Sequence, residues 1–105
     1  MDPVNVIAGA NLPLAWDKTI GWSGVRIAVI DTGVLGTHPD LAGRVIGGYD
    51  FISNVFSAND GDGRDADPSD PGDWVTANQC FSGSPASNSS WHGTHVGGTI
   101  GAATN

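Results

Sequence analysis

The stretch VRIAVIDTGV, Val25 to Val34, decides how the rest of the chain is read. Six residues dominated by Val and Ile run straight into Asp-Thr-Gly. The apolar positions do not alternate with polar ones, which is the pattern of a strand covered on both faces in the middle of a parallel sheet. Asp31 would stand at the carboxyl end of that strand, where α/β folds gather their functional groups. Thr32 and Gly33 permit a tight exit in which backbone donors hold the carboxylate. The plainer reading is that Asp31 only caps a turn.

Outward from this strand the signals weaken. Upstream, Asn11 to Gly24 (NLPLAWDKTIGWSG) reads as a short helix. Asn11 would be its N-cap, Pro13 would lie in its first turn and Gly21 would stop it. Downstream, VLGTHPDLAGR is a turn-rich connection, because Pro39 forces His38 out of helical geometry. Val45 to Phe51 reads as a second, weaker strand. From Ser53 to Ser90 there is neither a helical nor a strand period, and a segment this long and irregular is functional or is tied down by something other than packing. Helical character returns at about His92, with Val96 and Ile100 one turn apart. Two strands and two helices are too few for a self-sufficient doubly wound sheet, so the chain reads as part of a larger body.

Composition narrows the function classes. The 105 residues are 39% apolar, enough for one small domain. All eleven acidic residues are Asp, against four basic ones, for a net charge of −7. An acidic surface with no basic stripe argues against nucleic acid and against anionic membranes as partners. No apolar run approaches membrane-spanning length. The N-terminal stretch has no basic region ahead of its apolar residues, so it does not read as a signal peptide. Cys80, the single cysteine, is either a small buried hydrophobe or half of a disulfide to a residue outside this chain.

The chemistry concentrates in SWHGTHVGGTIGAA, Ser90 to Ala103. His92 falls at the start of the final helix, where the helix dipole disfavours an imidazolium. A carboxylate is needed beside it if it is to carry a proton, and Asp31 is the candidate. Gly93 allows another backbone to approach. His95, one turn on, reads as a packing residue. Zinc fits poorly, since the spacing is i, i+3 and Gly93 stands where a Glu would be expected. Asp-Thr-Gly also resembles the aspartic-protease signature, in which two chains would pair their carboxylates.

Together, VRIAVIDTGVLGTHPDL and HGTHVGGTIGAATN resemble the first two signature blocks of the subtilisin-like serine proteases, the subtilases. The resemblance implies a three-layer α/β/α fold with a parallel sheet, of which this chain supplies only the N-terminal part. It implies that Asp31 and His92 are the catalytic aspartate and histidine of an Asp-His-Ser triad, and that His95 is structural. Gly97 departs from the family's usual Ala. The family's serine block is not found in these 105 residues, so the chain would be inert unless complemented by the C-terminal remainder of the catalytic domain. Implied with these are polypeptide substrates and a secreted location like that of bacterial members. The alternative is a non-catalytic calcium-binding or interaction fragment on the same scaffold.

Between the two blocks, NDGDGRDADPSDPGDW places six Asp from Asp60 to Asp73 with Arg64 as the sole basic residue. Carboxylates so crowded repel one another unless a cation or solvent screens them. Asp60, Asp62, Asp65 and Asp67, with glycines that permit sharp turns, are the expected ligands of a structural calcium ion. The EF-hand pattern itself fails, because no Glu closes the loop. Asp40, in HPDL, is a further expected calcium ligand by resemblance, together with Asn105 and the Ala103 carbonyl.

Overall fold

The computed structural model describes residues 12–103, so the expected N-cap Asn11 and the expected ligand Asn105 lie outside the described residues. The described elements are α1 (Leu12–Trp16), a 3-10 turn (Pro39–Leu41), α2 (Val55–Ala58) and α3 (His92–Gly101).

The two expected strands do not form among these residues. Val25–Ile30 and Val45–Asp50 carry no regular structure, and the β pairings described are isolated bridges, parallel at Val34–Ser69 and antiparallel at Val75–Ser87. The reason is physical: a strand is defined by neighbours that complete its ladder, and nothing described here lies alongside VRIAVI to accept its hydrogen bonds. Its side chains are correspondingly bare, with Ile30 97% exposed.

The helices follow their local chemistry more closely. α1 holds Pro13 in its first turn as expected but ends at Trp16, well short of Gly21. Its apolar residues Leu12, Leu14 and Trp16 are all exposed, and a helix this short needs packing to persist. α2 was not foreseen. It is one turn, capped by Asn54 Oδ1 accepting from Ser57 N at 3.0 Å and closed by Asn59 in the left-handed region. α3 begins at His92, the residue where the sequence regains helical character.

Little is buried. Among the described residues Leu41 and Ala58 are the buried hydrophobic ones, and Asp70 and Ser84 the buried polar ones. The radius of gyration is 17.4 Å, against about 13 Å for a compact chain of 100 residues. What order there is gathers around α3, which packs against the 3-10 turn. The residue after its C-cap is tied there too, with Ala103 N donating to Asp40 O at 2.8 Å.

Candidate active site

Asp31 and His92, 61 positions apart, meet side chain to side chain. His92 Nδ1 lies 2.7 Å from Asp31 Oδ1 and 2.8 Å from Oδ2. The aspartate is the covered partner, its side chain 14% exposed, whereas the imidazole is 64% exposed. Thr32 N donates to Asp31 Oδ1 at 2.8 Å. That backbone donor and then the His92 ring hold the Asp31 carboxyl below its ordinary value of 3.8, outweighing partial burial. An ionised Asp31 fixes the imidazole with its proton on Nδ1, so Nε2 presents a lone pair to the outside. The arrangement can accept a proton at Nε2 and stabilise the imidazolium that results.

The approach depends on glycine. A Cβ on Gly93 would collide with the Gly33 carbonyl oxygen and lie 3.1 Å from Asp31 Cβ. Gly33 itself has φ +107°, and a Cβ there would lie 2.8 Å from Asp70 Cα. The helix start, the Asp31 turn and the 68–72 segment are thus stacked backbone on backbone, closer than any side chain would permit.

Hydroxyls and carboxylates lock the stack. Thr32 Oγ1 donates to Asp70 Oδ2 at 3.0 Å and accepts from Gly93 N at 3.1 Å. Asp70 Oδ1 accepts from Gly72 N at 2.8 Å. On the other flank, Val34 N donates to Pro68 O and Asp70 N to Val34 O, forming the parallel bridge. Thr94 Oγ1, on α3, accepts from Leu35 N at 2.9 Å. The sequence assigns no role to Asp70 or Thr94, and of Thr32 it shows the tight exit but not the hydroxyl bonds. The available signal was the Pro-x-x-Pro spacing around Asp70, which marks a rigid turn rather than a solvated loop.

The expected calcium ligands are not drawn together. Among the described residues no three His, Cys or Asp side chains gather as a metal cage. Asp60 Oδ1 accepts from Asp62 N, Asp65 Oδ1 from Asp67 N, and Asp67 Oδ1 from Ser69 N. Through these bonds the carboxylates close local turns. Their mutual repulsion remains: Asp65 first, then partial burial, pushes the Asp62 carboxyl up. Asp67 goes the other way, lowered by its bonds to Ser69. Asp40 does meet the loop after α3, but through its backbone; its carboxylate is 4.0 Å from His38 Nδ1, which itself accepts from Asp40 N.

Two other expectations are corrected. His95 is not packed among the described residues but lines an open cleft of about 570 Å³ with His38, Trp91 and Thr99. Cys80 is exposed, which removes its reading as a buried hydrophobe and leaves that of a disulfide to a residue outside this chain.

With this geometry in view, comparison with known proteins is decisive. A model of the subtilase family matches residues 22–105. The chain belongs to the subtilase family. This removes the aspartic-protease alternative, in keeping with an Asp31 whose partner is a histidine. The segment is 55% identical over 98 residues to an extracellular protease of Xanthomonas campestris, covering 93% of this chain and 17% of that protein. It is 45% identical over 102 residues to an extracellular basic protease of Dichelobacter nodosus, covering 92% and 17%. A solved protease structure from Pseudoalteromonas arctica PAMC 21717 superposes with TM-score 0.84 at 58% identity, covering 92% of this chain and 28% of that one. This subtilase segment therefore spans about a sixth of the two curated relatives, whose names describe extracellular proteases.

Proposed function

We propose that this chain is the Asp- and His-bearing part of a secreted serine endopeptidase. His92 is its general base and Asp31 the group that orients it. The observation that carries the proposal is the Asp31–His92 pair at 2.7 Å, with Nδ1 committed and the ring largely open to solvent. In the complete domain Nε2 takes the proton of a serine hydroxyl as its oxygen attacks a peptide carbonyl. The imidazolium, steadied by Asp31, then returns that proton to the leaving amine. The serine comes from the C-terminal remainder of the catalytic domain, and the segment alone is inert.

The bare apolar surface supports such a remainder. Ile20, Trp22, Val25, Ile27 and Ile30 are all more than half exposed along one stretch, a patch that in a soluble protein marks a surface to be covered. Polypeptides are the substrates, and the secreted location follows the relatives' names. Calcium at Asp60, Asp62, Asp65 and Asp67 would require these carboxylates to turn toward one another, and it would relieve the repulsion at Asp62.

The test is labelling of the full-length protein by a serine-directed phosphonate, alongside cleavage of a peptide substrate. Labelling and cleavage that both vanish in His92→Ala support the reading. Cleavage that persists in His92→Ala, or an unlabelled, inactive wild type, overturns it.

A further inference from the structure

Helix α3 starts in an unusual way. Its N-cap, Trp91, is in the left-handed region at φ 52° and offers no side-chain acceptor to the first turn. A helix start without a cap leaves amides unsatisfied and the first residues loose. Here the first residue is His92, whose placement decides the chemistry.

We propose that Asp73 and Ser90 are positioning residues for His92, together supplying the cap that the start of α3 lacks. The proposal rests on the reading of His92 as the general base. Ser90 N donates to Asp73 Oδ1 at 2.6 Å, and Ser90 Oγ donates to Asp73 Oδ2 at 2.8 Å. The carboxylate therefore grips Ser90 at two points, and its charge shortens and strengthens both bonds. With the hydroxyl proton committed to Asp73, the oxygen's lone pairs are free for one further donor, and His92 N donates to Ser90 Oγ at 3.3 Å. The left-handed Trp91 lets Ser90 fold back over the helix start in this way. The relay runs parallel to that of Asp70, Thr32 and Gly93 N, so the first two residues of α3 are each held by a carboxylate acting through a hydroxyl.

Bonds from Ser90, backbone first, hold the Asp73 carboxyl below its ordinary value, so it is ionised and grips Ser90 as a charged acceptor.

Asp73→Asn, Ser90→Ala and Ser90→Thr in the full-length protein test this. Asp73→Asn and Ser90→Ala are expected to lower kcat roughly tenfold with KM unchanged, as a small misplacement of a general base does. Ser90→Thr, which keeps the hydroxyl, is expected to restore most of that loss. Asp73→Asn and Ser90→Ala should also quicken hydrogen exchange at the His92 amide, the donor that the relay holds, and Ser90→Thr should restore its protection. An unchanged kcat or an unchanged His92 amide exchange in the folded variants overturns the proposal. Should the wild type itself show no serine-dependent cleavage, the reading of the site fails separately. The His92 amide exchange then decides the inference by itself, faster exchange supporting it and no change overturning it.

Discussion

Gly93→Ala isolates the dependence of the site on backbone contact. The added methyl would overlap the Gly33 carbonyl oxygen and crowd Asp31 Cβ at 3.1 Å. Restoring ordinary van der Waals separation requires the helix start to retreat by on the order of 1 Å. The His92 Nδ1 contacts with Asp31, now 2.7 and 2.8 Å, would then stretch to about 3.7 Å, beyond useful hydrogen-bond length. A misplacement of that size in a general base costs about a hundredfold in turnover. Two terms oppose each other in stability. Overpacking against backbone costs about 1–3 kcal/mol, and Ala in place of Gly returns about 1 kcal/mol of helix propensity. The net expectation is a loss of up to about 2 kcal/mol. The assay is kcat and KM on a chromogenic peptide in the full-length protease, with thermal unfolding beside it. Gly97→Ala is the control on the same helix, since no atom lies within 4 Å of its added Cβ; it should gain about 0.5–1 kcal/mol and keep its activity. A Gly93→Ala enzyme within twofold of wild-type kcat would refute the argument that close backbone approach sets the Asp31–His92 pair.

Further expectations follow from the same geometry. Asp31→Asn should leave the fold intact and cut kcat roughly 10⁴-fold, because the imidazole loses the partner that fixes its tautomer; steady-state kinetics beside a circular dichroism spectrum measure both parts. The Asp31 carboxyl is held below its ordinary 3.8, so the stability it contributes is present above that value and lost as pH falls through the lowered pKa. An acid-unfolding profile should accordingly show a shallower fall for Asp31→Asn than for wild type. Asp62 has the opposite sign: its pKa is raised, chiefly by Asp65, so repulsion there relaxes as pH falls through it. Asp62→Asn should raise the melting temperature in chelator and reduce the further rise produced by calcium. An equal calcium response in both proteins would mean that the acidic turn is not where the ion acts.

The acidic run shows how far a linear reading could go. From the sequence, Asp60, Asp62, Asp65 and Asp67 group as expected calcium ligands, and Asp70 and Asp73 carry no assigned role. In the structure Asp60, Asp65 and Asp67 close local turns onto amides two residues ahead. Asp70 and Asp73 instead reach Thr32 and Ser90, 38 and 17 positions away. Which distant hydroxyl Asp70 and Asp73 each meet is not carried by the residues beside them. The strand reading failed for the converse reason. VRIAVI carries the right residues for a buried strand, but strand pairing is a property of two segments, and Ile30 stands 97% exposed with no partner beside it.

The sequence by itself pointed to the family and to the two side chains that the structure brings together. Asp31 after an apolar run and His92 before Gly-Thr-His are set by motifs whose spacing is local. The start of α3 at His92 was legible for the same reason, since helix periodicity is carried by residues one turn apart. Only the tertiary structure decided how those groups are held: the glycine contact between α3 and the Asp31 turn, and the two carboxylate–hydroxyl relays at the helix start. Each of these joins residues that the chain separates by 17 to 61 positions. Such contacts form when two backbones come within a few ångströms, a distance that no local pattern of residues encodes.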